Sequence, residues 1–263
     1  MVPFMPDSST QRVAASGMIL RVMAGSAIHG TSIGGSDRDE MGVCVEPPQT
    51  VVGLKRFEQY QFRSQPQGVV SGPGDLDLTI YGLRKYAALA AQGNPTILSL
   101  LFTRDEHTLY ATGIGDDLRQ RRAMFLSRQA GARFRGYLES QRRGLMGLRS
   151  GGSRNQGRSD IREKYGFDTK FAAHMVRLGL QGVELLATGE ISLPVPEPDR
   201  TWLLELRRGE HTKQEALARA EHLEHQIDGL MRSDESPLPE QPAWDDINDW
   251  LAAVHRQHWG WDR

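Results

Sequence analysis

A single cysteine, Cys44, is present among 263 residues. One thiol permits no internal disulfide and no cysteine-based zinc site, and a reducing compartment is its simplest setting. Long hydrophobic runs are missing as well. No stretch approaches the roughly 18 apolar residues of a membrane span. The opening segment, MVPFMPDSSTQRVAASG, has neither the basic start nor the apolar run of a secretory signal. A cytoplasmic protein without a membrane partner is therefore expected. Net charge is nearly absent, at a formal −1, so any attraction for polyanions must be local.

What remains is a globular balance, with 38% hydrophobic and 25% charged residues, enough to bury a core without staples. Charge is segregated along the chain. Thirteen Lys or Arg side chains stand against three acids in residues 118–164. A segment this basic attracts polyphosphate or nucleic acid, unless acids from elsewhere balance it.

Apolar runs and alternation place strands early in the chain. Residues 18–24 (MILRVMA) read as a buried strand ended by Gly25, and residues 38–45 as a second strand ended by Pro47-Pro48. Alternation extends to residues 56–63 and to residues 75–80 (DLDLTI). The period then changes. Leu83, Tyr86, Ala87 and Ala90 share a helical face that stops near Gly93, and Asn94-Pro95 opens another helix. Beyond about residue 115 strand signals are rare. Helices are expected over residues 123–148, 168–188, 212–231 and 244–259. Residues 150–159 (SGGSRNQGRS) read as a loop, and Pro194, Pro196 and Pro198 as an extended connector. The fold class is α+β, with a catalytic half at 1–115 and an all-helical half at 116–263.

Three short features carry chemistry together. Gly25-Ser26 follows a buried strand, where free backbone N–H groups and a hydroxyl can hold phosphate oxygens. Ten residues later comes Asp37-Arg38-Asp39. Residues two apart on a strand point to one face, about 6–7 Å apart, and two such carboxylates suit divalent cations about 3.5–4 Å apart. Hard oxygen donors favour magnesium. Like charges side by side repel, which makes a cation their natural partner. Asp77, on a later strand, supplies a third acid for a second metal or for the proton of an attacking hydroxyl. Asp75 shares its face and competes for that role, but sits at the loop end. Glu40 points away from Asp39.

These features resemble the DNA polymerase beta superfamily of nucleotidyltransferases. Three blocks narrow the match: GSAIHGTSIGGSDRDEMGV, DLTIYGLRKYAALAAQGNPTILSLLF and KYGFDTKFAAHMVRLGLQGVELLATGEISLP. They are similar to the RNA-repair-pathway polymerase-beta-like family across about residues 18–210. The resemblance implies a nucleotidyltransferase fold, a mixed sheet backed by helices, with Asp37, Asp39 and Asp77 as metal ligands for Mg2+ or Mn2+ as a pair of ions. It also implies transfer of a nucleoside monophosphate from a nucleoside triphosphate such as ATP, releasing pyrophosphate. The family name points to RNA as acceptor, a tRNA end being one case, received through residues 118–164. Two positions depart from its pattern, His29 in place of an aromatic residue and Ser99 in place of an acid, and both bear on the pocket. Lys170, His174 and Arg177 share one helix face, where three cations can grip a triphosphate or an RNA backbone. Arg84 or Lys85 could also face the cleft.

Other features weigh less. His222 and His225, like His255 and His258, read as solvated pairs in polar helices. Trp244, Trp250, Trp259 and Trp261 read as packing of the last helix, with base stacking as the alternative. Two rivals to an RNA acceptor stay open: transfer to a protein or small molecule, and a catalytically dead nucleic-acid-binding module. Nucleotide choice and oligomeric state are not encoded in any motif.

Overall fold

A computed structural model describes residues 9–34, 37–66, 72, 74–148 and 159–261. Five strands form one mixed sheet in the order β3-β4-β2-β1-β5. They are β1 (Met18–Met23), β2 (Arg38–Cys44), β3 (Gln59–Arg63), β4 (Leu76–Gly82) and β5 (Thr108–Ala111). β2 and β4 run parallel, and the other pairings are antiparallel. Alternation sends successive side chains of each strand to opposite faces. From β2, Met41 and Val43 join the main core, while Cys44 joins Leu78 and Ile80 of β4 in a smaller cluster with Tyr60, Phe57 and Ala14. That second face is covered by α1 (Ser9–Ser16), which supplies Ala14. Burial there pushes the Cys44 thiol far above its ordinary pKa, so it behaves as a small apolar side chain.

The main core is continuous from sheet to helices. It runs from Ile19, Leu20 and Val22 of β1 through α4 (Leu83–Ala91) and α5 (Pro95–Leu101). From there it passes to α7 (Gln129–Leu145), α9 (Thr169–Thr188), α11 (Lys213–Arg232) and α12 (Trp244–Trp259). α6 (Gly113–Gln120) straddles the boundary expected at residue 115 and is tied to β1 by Thr112 N–H donating to the Ile19 carbonyl. α9 is the central helix of the second half. A Cβ on its Gly182 would lie 2.9 Å from Ile227 of α11 and 3.0 Å from Phe134 of α7, so the missing side chain lets three helices close up.

Local chemistry explains where the helices begin. Asn94 Oδ1 accepts from the N–H groups of Thr96 and Ile97, ahead of Pro95 in the first turn of α5. Asp168 caps α9 through Phe171 N–H. Thr212 and Glu215 form a reciprocal capping box at α11. Gly189, in the left-handed region, ends α9.

Several expectations change. β5 lies where no strand was expected, because a four-residue edge strand of mostly exposed residues has no apolar pattern to read. The helix expected over residues 123–148 is broken. A 3-10 turn at Arg122–Phe125 gives way to an extended Leu126 before α7 begins. The prolines at 194–198 lead directly into a helix, α10 (Asp199–Arg208). Residues 150–158 of the expected loop lie outside the described residues, and Ser159 already begins α8 (Ser159–Tyr165).

The last helix also corrects a reading. His255 is 4% exposed and not solvated. Its Nε2 meets Glu46 Oε2 at 3.1 Å, and Nδ1 lies 2.7 Å from the Leu251 carbonyl. The same buried Glu46 accepts from Leu83 and Arg84 N–H at the start of α4, and its carbonyl takes the Trp259 indole N–H. Trp250 is buried against Phe125 and donates to Asp117, while Trp244 and Trp261 stay exposed.

Phe134 is fully buried in the main core. Phe134→Ala is expected to destabilise the fold by about 3–5 kcal/mol, read as a lower urea midpoint with an unchanged slope.

Candidate active site

The three aspartates meet because of strand register. In the parallel pair, Asp39 lies opposite Asp77, and in-register neighbours point to the same face. That face is the one carrying Met41 and Val43, which packs toward the helical half. Asp37 sits two residues before Asp39, just ahead of β2. One oxygen from each of Asp37, Asp39 and Asp77 lies within 4.8 Å of the others. Asp75 is elsewhere. Its oxygens accept from Ser64 Oγ at 3.1 Å and from Gly72 N–H at 2.8 Å, so it fastens the loop end. Glu40 points to the opposite face, where Arg21 and Arg38 pair with it.

Glycine at position 25 is a requirement of this geometry. Gly25 has φ of 63°, in the left-handed region, and a Cβ there would lie 2.0 Å from Asp39 Oδ2. The turn into α2 (Gly25–His29) therefore presses backbone against the carboxylate. Ala24 N–H donates to the Asp39 carbonyl at 2.9 Å, and Ser26 Oγ lies 2.9 Å from Ser32 Oγ. On the outer side, Arg63 Nε and Gln65 Nε2 both donate to Asp77 Oδ1, at 2.9 and 3.1 Å. Arg63 is the direct cross-strand partner of Asp77.

Across the cleft stands α9. Lys170, His174 and Arg177 line a cavity of about 200 Å³ together with Gly25, Ser26, Asp37 and Asp39. His29, Thr31, Ala173 and Arg207 complete it. Arg207 and Arg63 carry no signal in the sequence. The helix bearing Arg207 is hidden behind the prolines, and the place of Arg63 depends on a strand pairing. Ser99 does not line this cavity. It is buried in α5 with its hydroxyl donating to the Thr96 carbonyl. Neither Arg84 nor Lys85 lines it, and Lys85 pairs with Glu58 and Gln59.

The electrostatics follow from crowding. Burial, then the Asp37 charge, push the Asp39 carboxyl up to about 6, with Asp77 adding to the rise and Lys170 opposing it. Burial lowers the Arg177 guanidinium to about 10. Burial first, then Arg177 and His174, hold His29 well below the usual imidazole range. Outside the cavity, most of the described arginines in the basic segment are paired with acids. Arg119 pairs with Asp105, Arg121 with Asp117, Arg122 with Glu190, Arg135 with Asp228, and Arg142 with Glu139 and Glu224.

The three carboxylates form a hard-oxygen donor set that suits a divalent cation, and Asp39 shows the charge repulsion that such an ion relieves. A carboxyl with a raised pKa stabilises the fold fully below the unfolded value near 4, and that contribution is lost as pH rises through about 6. Two outcomes follow for thermal melting. Without divalent ions at pH 7.5, Asp39→Asn is expected to melt higher than wild type. Magnesium is expected to stabilise wild type only, by about 2.7 kcal/mol at 100-fold over Kd, read as a higher melting temperature, and this gain should fade below about pH 6. Gly25→Ala is expected to abolish the magnesium response by displacing Asp39.

The chain matches the RNA repair pathway DNA polymerase beta family over residues 8–253. No curated protein matches it in sequence. Among solved structures, a nucleotidyltransferase-like protein from Exiguobacterium sibiricum overlaps it at 11% identity and a TM-score of 0.31, covering 94% of this chain and 77% of the other. A spectinomycin adenyltransferase from Enterococcus faecialis, solved with ATP and spectinomycin, overlaps at 14% identity and a TM-score of 0.42, covering 82% of this chain and 94% of the other. Both overlaps are loose, and the family match spans nearly the whole chain: the protein belongs to the RNA repair pathway DNA polymerase beta family and is a nucleotidyltransferase.

Proposed function

We propose that this enzyme moves a nucleoside monophosphate from a nucleoside triphosphate to an acceptor hydroxyl on RNA, with divalent cations held by Asp37, Asp39 and Asp77 and with release of pyrophosphate. The observation that carries the reading is the in-register meeting of Asp39 with Asp77, beside Asp37 and facing a cationic helix. Bound divalent cations supply Lewis acidity at the reacting phosphorus. The protein's own groups do the rest. Gly25 and Ser26 offer a turn and a hydroxyl to phosphate oxygens, and Lys170, His174, Arg177 and Arg207 face the same space. Lys acts as a point charge, and Arg as a fork that fits phosphate oxygens. Asp77, braced by Arg63 and Gln65, is placed to receive the proton of the attacking hydroxyl.

RNA as acceptor is supported by the family to which the chain belongs. One observation favours a second reading, transfer to a protein or small molecule: most described arginines of residues 118–164 are already matched by acids. Incubation with each labelled nucleoside triphosphate and a fractionated extract separates the two. Label on RNA is the expected result, and label confined to protein or small molecules would replace the acceptor.

The site itself is tested by substitution. Asp37→Asn and Asp39→Asn are each expected to lower transfer by more than about 100-fold, beyond the 10–100-fold typical of residues that only support a ligand, with cooperative melting retained. Asp75→Asn is expected to leave transfer near wild type. Full activity in both Asp37→Asn and Asp39→Asn would reject the site.

A further inference from the structure

Arg177 is a recessed cation whose hydrogen-bonding partners are both neutral. Its Nη1 lies 2.9 Å from His29 Nε2 and donates to Gln181 Oε1 at 2.6 Å. Among the described residues no carboxylate pairs with it. Arg21, Arg63, Arg142 and Arg219, by contrast, are each met by an acid. A carboxylate partner would cancel the guanidinium's charge. Neutral acceptors orient it and leave the charge for whatever enters the cavity.

His29 can hold Arg177 only as a neutral ring. A neutral imidazole has one acceptor nitrogen and one N–H. Nε2 faces an Arg donor, so Nε2 is the acceptor and the proton resides on Nδ1. The contact of Nδ1 with Gln181 Nε2, at 3.3 Å, then sets donor against donor and is not a hydrogen bond. A second proton would set imidazolium against guanidinium. Burial and the neighbouring cations oppose it. The backbone around His29 is fixed as well. Gly30 adopts the left-handed region, and the His29 carbonyl accepts from Val195 N–H at 3.2 Å. The ring is therefore anchored both to the turn after Gly25-Ser26 and to the connector before α10.

We propose that His29 is a positioning residue: as a neutral acceptor, with Gln181, it fixes the Arg177 guanidinium so that its remaining N–H groups face the phosphate chain of the substrate. This assignment rests on the reading of the cavity as a nucleoside triphosphate site. It differs from a packing role, because the needed property is a lone pair and not a ring of a given shape.

Three forms separate these roles: wild type, His29→Phe, which keeps a ring without an acceptor, and His29→Gln, which restores an acceptor oxygen. Each is titrated with magnesium tripolyphosphate by calorimetry, so that anion binding is read without chemistry. Wild type is expected to bind, His29→Phe to bind about tenfold more weakly or worse, and His29→Gln to recover most of the loss. In turnover, His29→Phe is expected to raise KM for the nucleotide by the same factor while kcat moves little. Equal affinity in wild type and His29→Phe overturns the assignment, as does a His29→Gln form as weak as the Phe form. No tripolyphosphate binding by wild type overturns it too. Tripolyphosphate binding that obeys this order, without transfer of any nucleotide, leaves it standing and removes the proposed function. Should His29→Phe fail to fold, Gln181→Met removes the other brace from the same guanidinium, and unchanged affinity there counts against the assignment.

Discussion

Parallel pairing of β2 with β4 is the constraint on which the site depends. It places Asp39 beside Asp77 and turns both toward the helical half. A slip of one residue would carry Asp77 to the far face and bring Leu78 into the cleft. The register is specified by apolar burial on both faces: Met41 and Val43 on one, Leu78 and Ile80 on the other. Hydrophobic packing thus holds together charges that repel one another, and burial first, then that repulsion, raises the Asp39 pKa.

Much of this was legible in the sequence, for physical reasons. β1, β2 and β4 read correctly because each buries a patterned face. A last helix was expected near the residues that α12 occupies, and α9 and α11 were expected within one residue of their bounds, α9 from its apolar face and α11 as a polar helix. The spacing of Asp37 and Asp39, and the shared face of Lys170, His174 and Arg177, are local facts that survive folding. What could not be read depends on partners distant in the chain. Arg63 meets Asp77 only through an antiparallel pairing, and His255 finds Glu46 across 209 positions. Arg207 was missed because prolines mask the helix that carries it. The charge of residues 118–164 was visible, but its pairing with Asp228, Glu190 and Glu224 was not.

The cleft sets opposite charges against each other across a small space. Acids come from the sheet, and cations from α9 and α10. Such a division suits a substrate that carries its own negative charge and arrives with cations, since each wall finds its counterpart in the complex. Arg177 is braced by a neutral imidazole and a neutral amide, and Asp77 is met from behind by a side chain of the outer strand.

Glu46 has a bearing on how the chain folds. It lies in the first fifth of the sequence and caps α4 early, through the Leu83 and Arg84 amides. Its imidazole and indole partners, His255 and Trp259, are synthesised 209 and 213 residues later. Until they arrive, this end of the sheet is uncovered and the carboxylate keeps its water. Synthesis thus separates assembly into an early stage at the amides and a late one at the C-terminal helix. Contacts so remote in sequence are entropically slow to form, which makes the docking of α12 a late event for the part of the sheet that it covers.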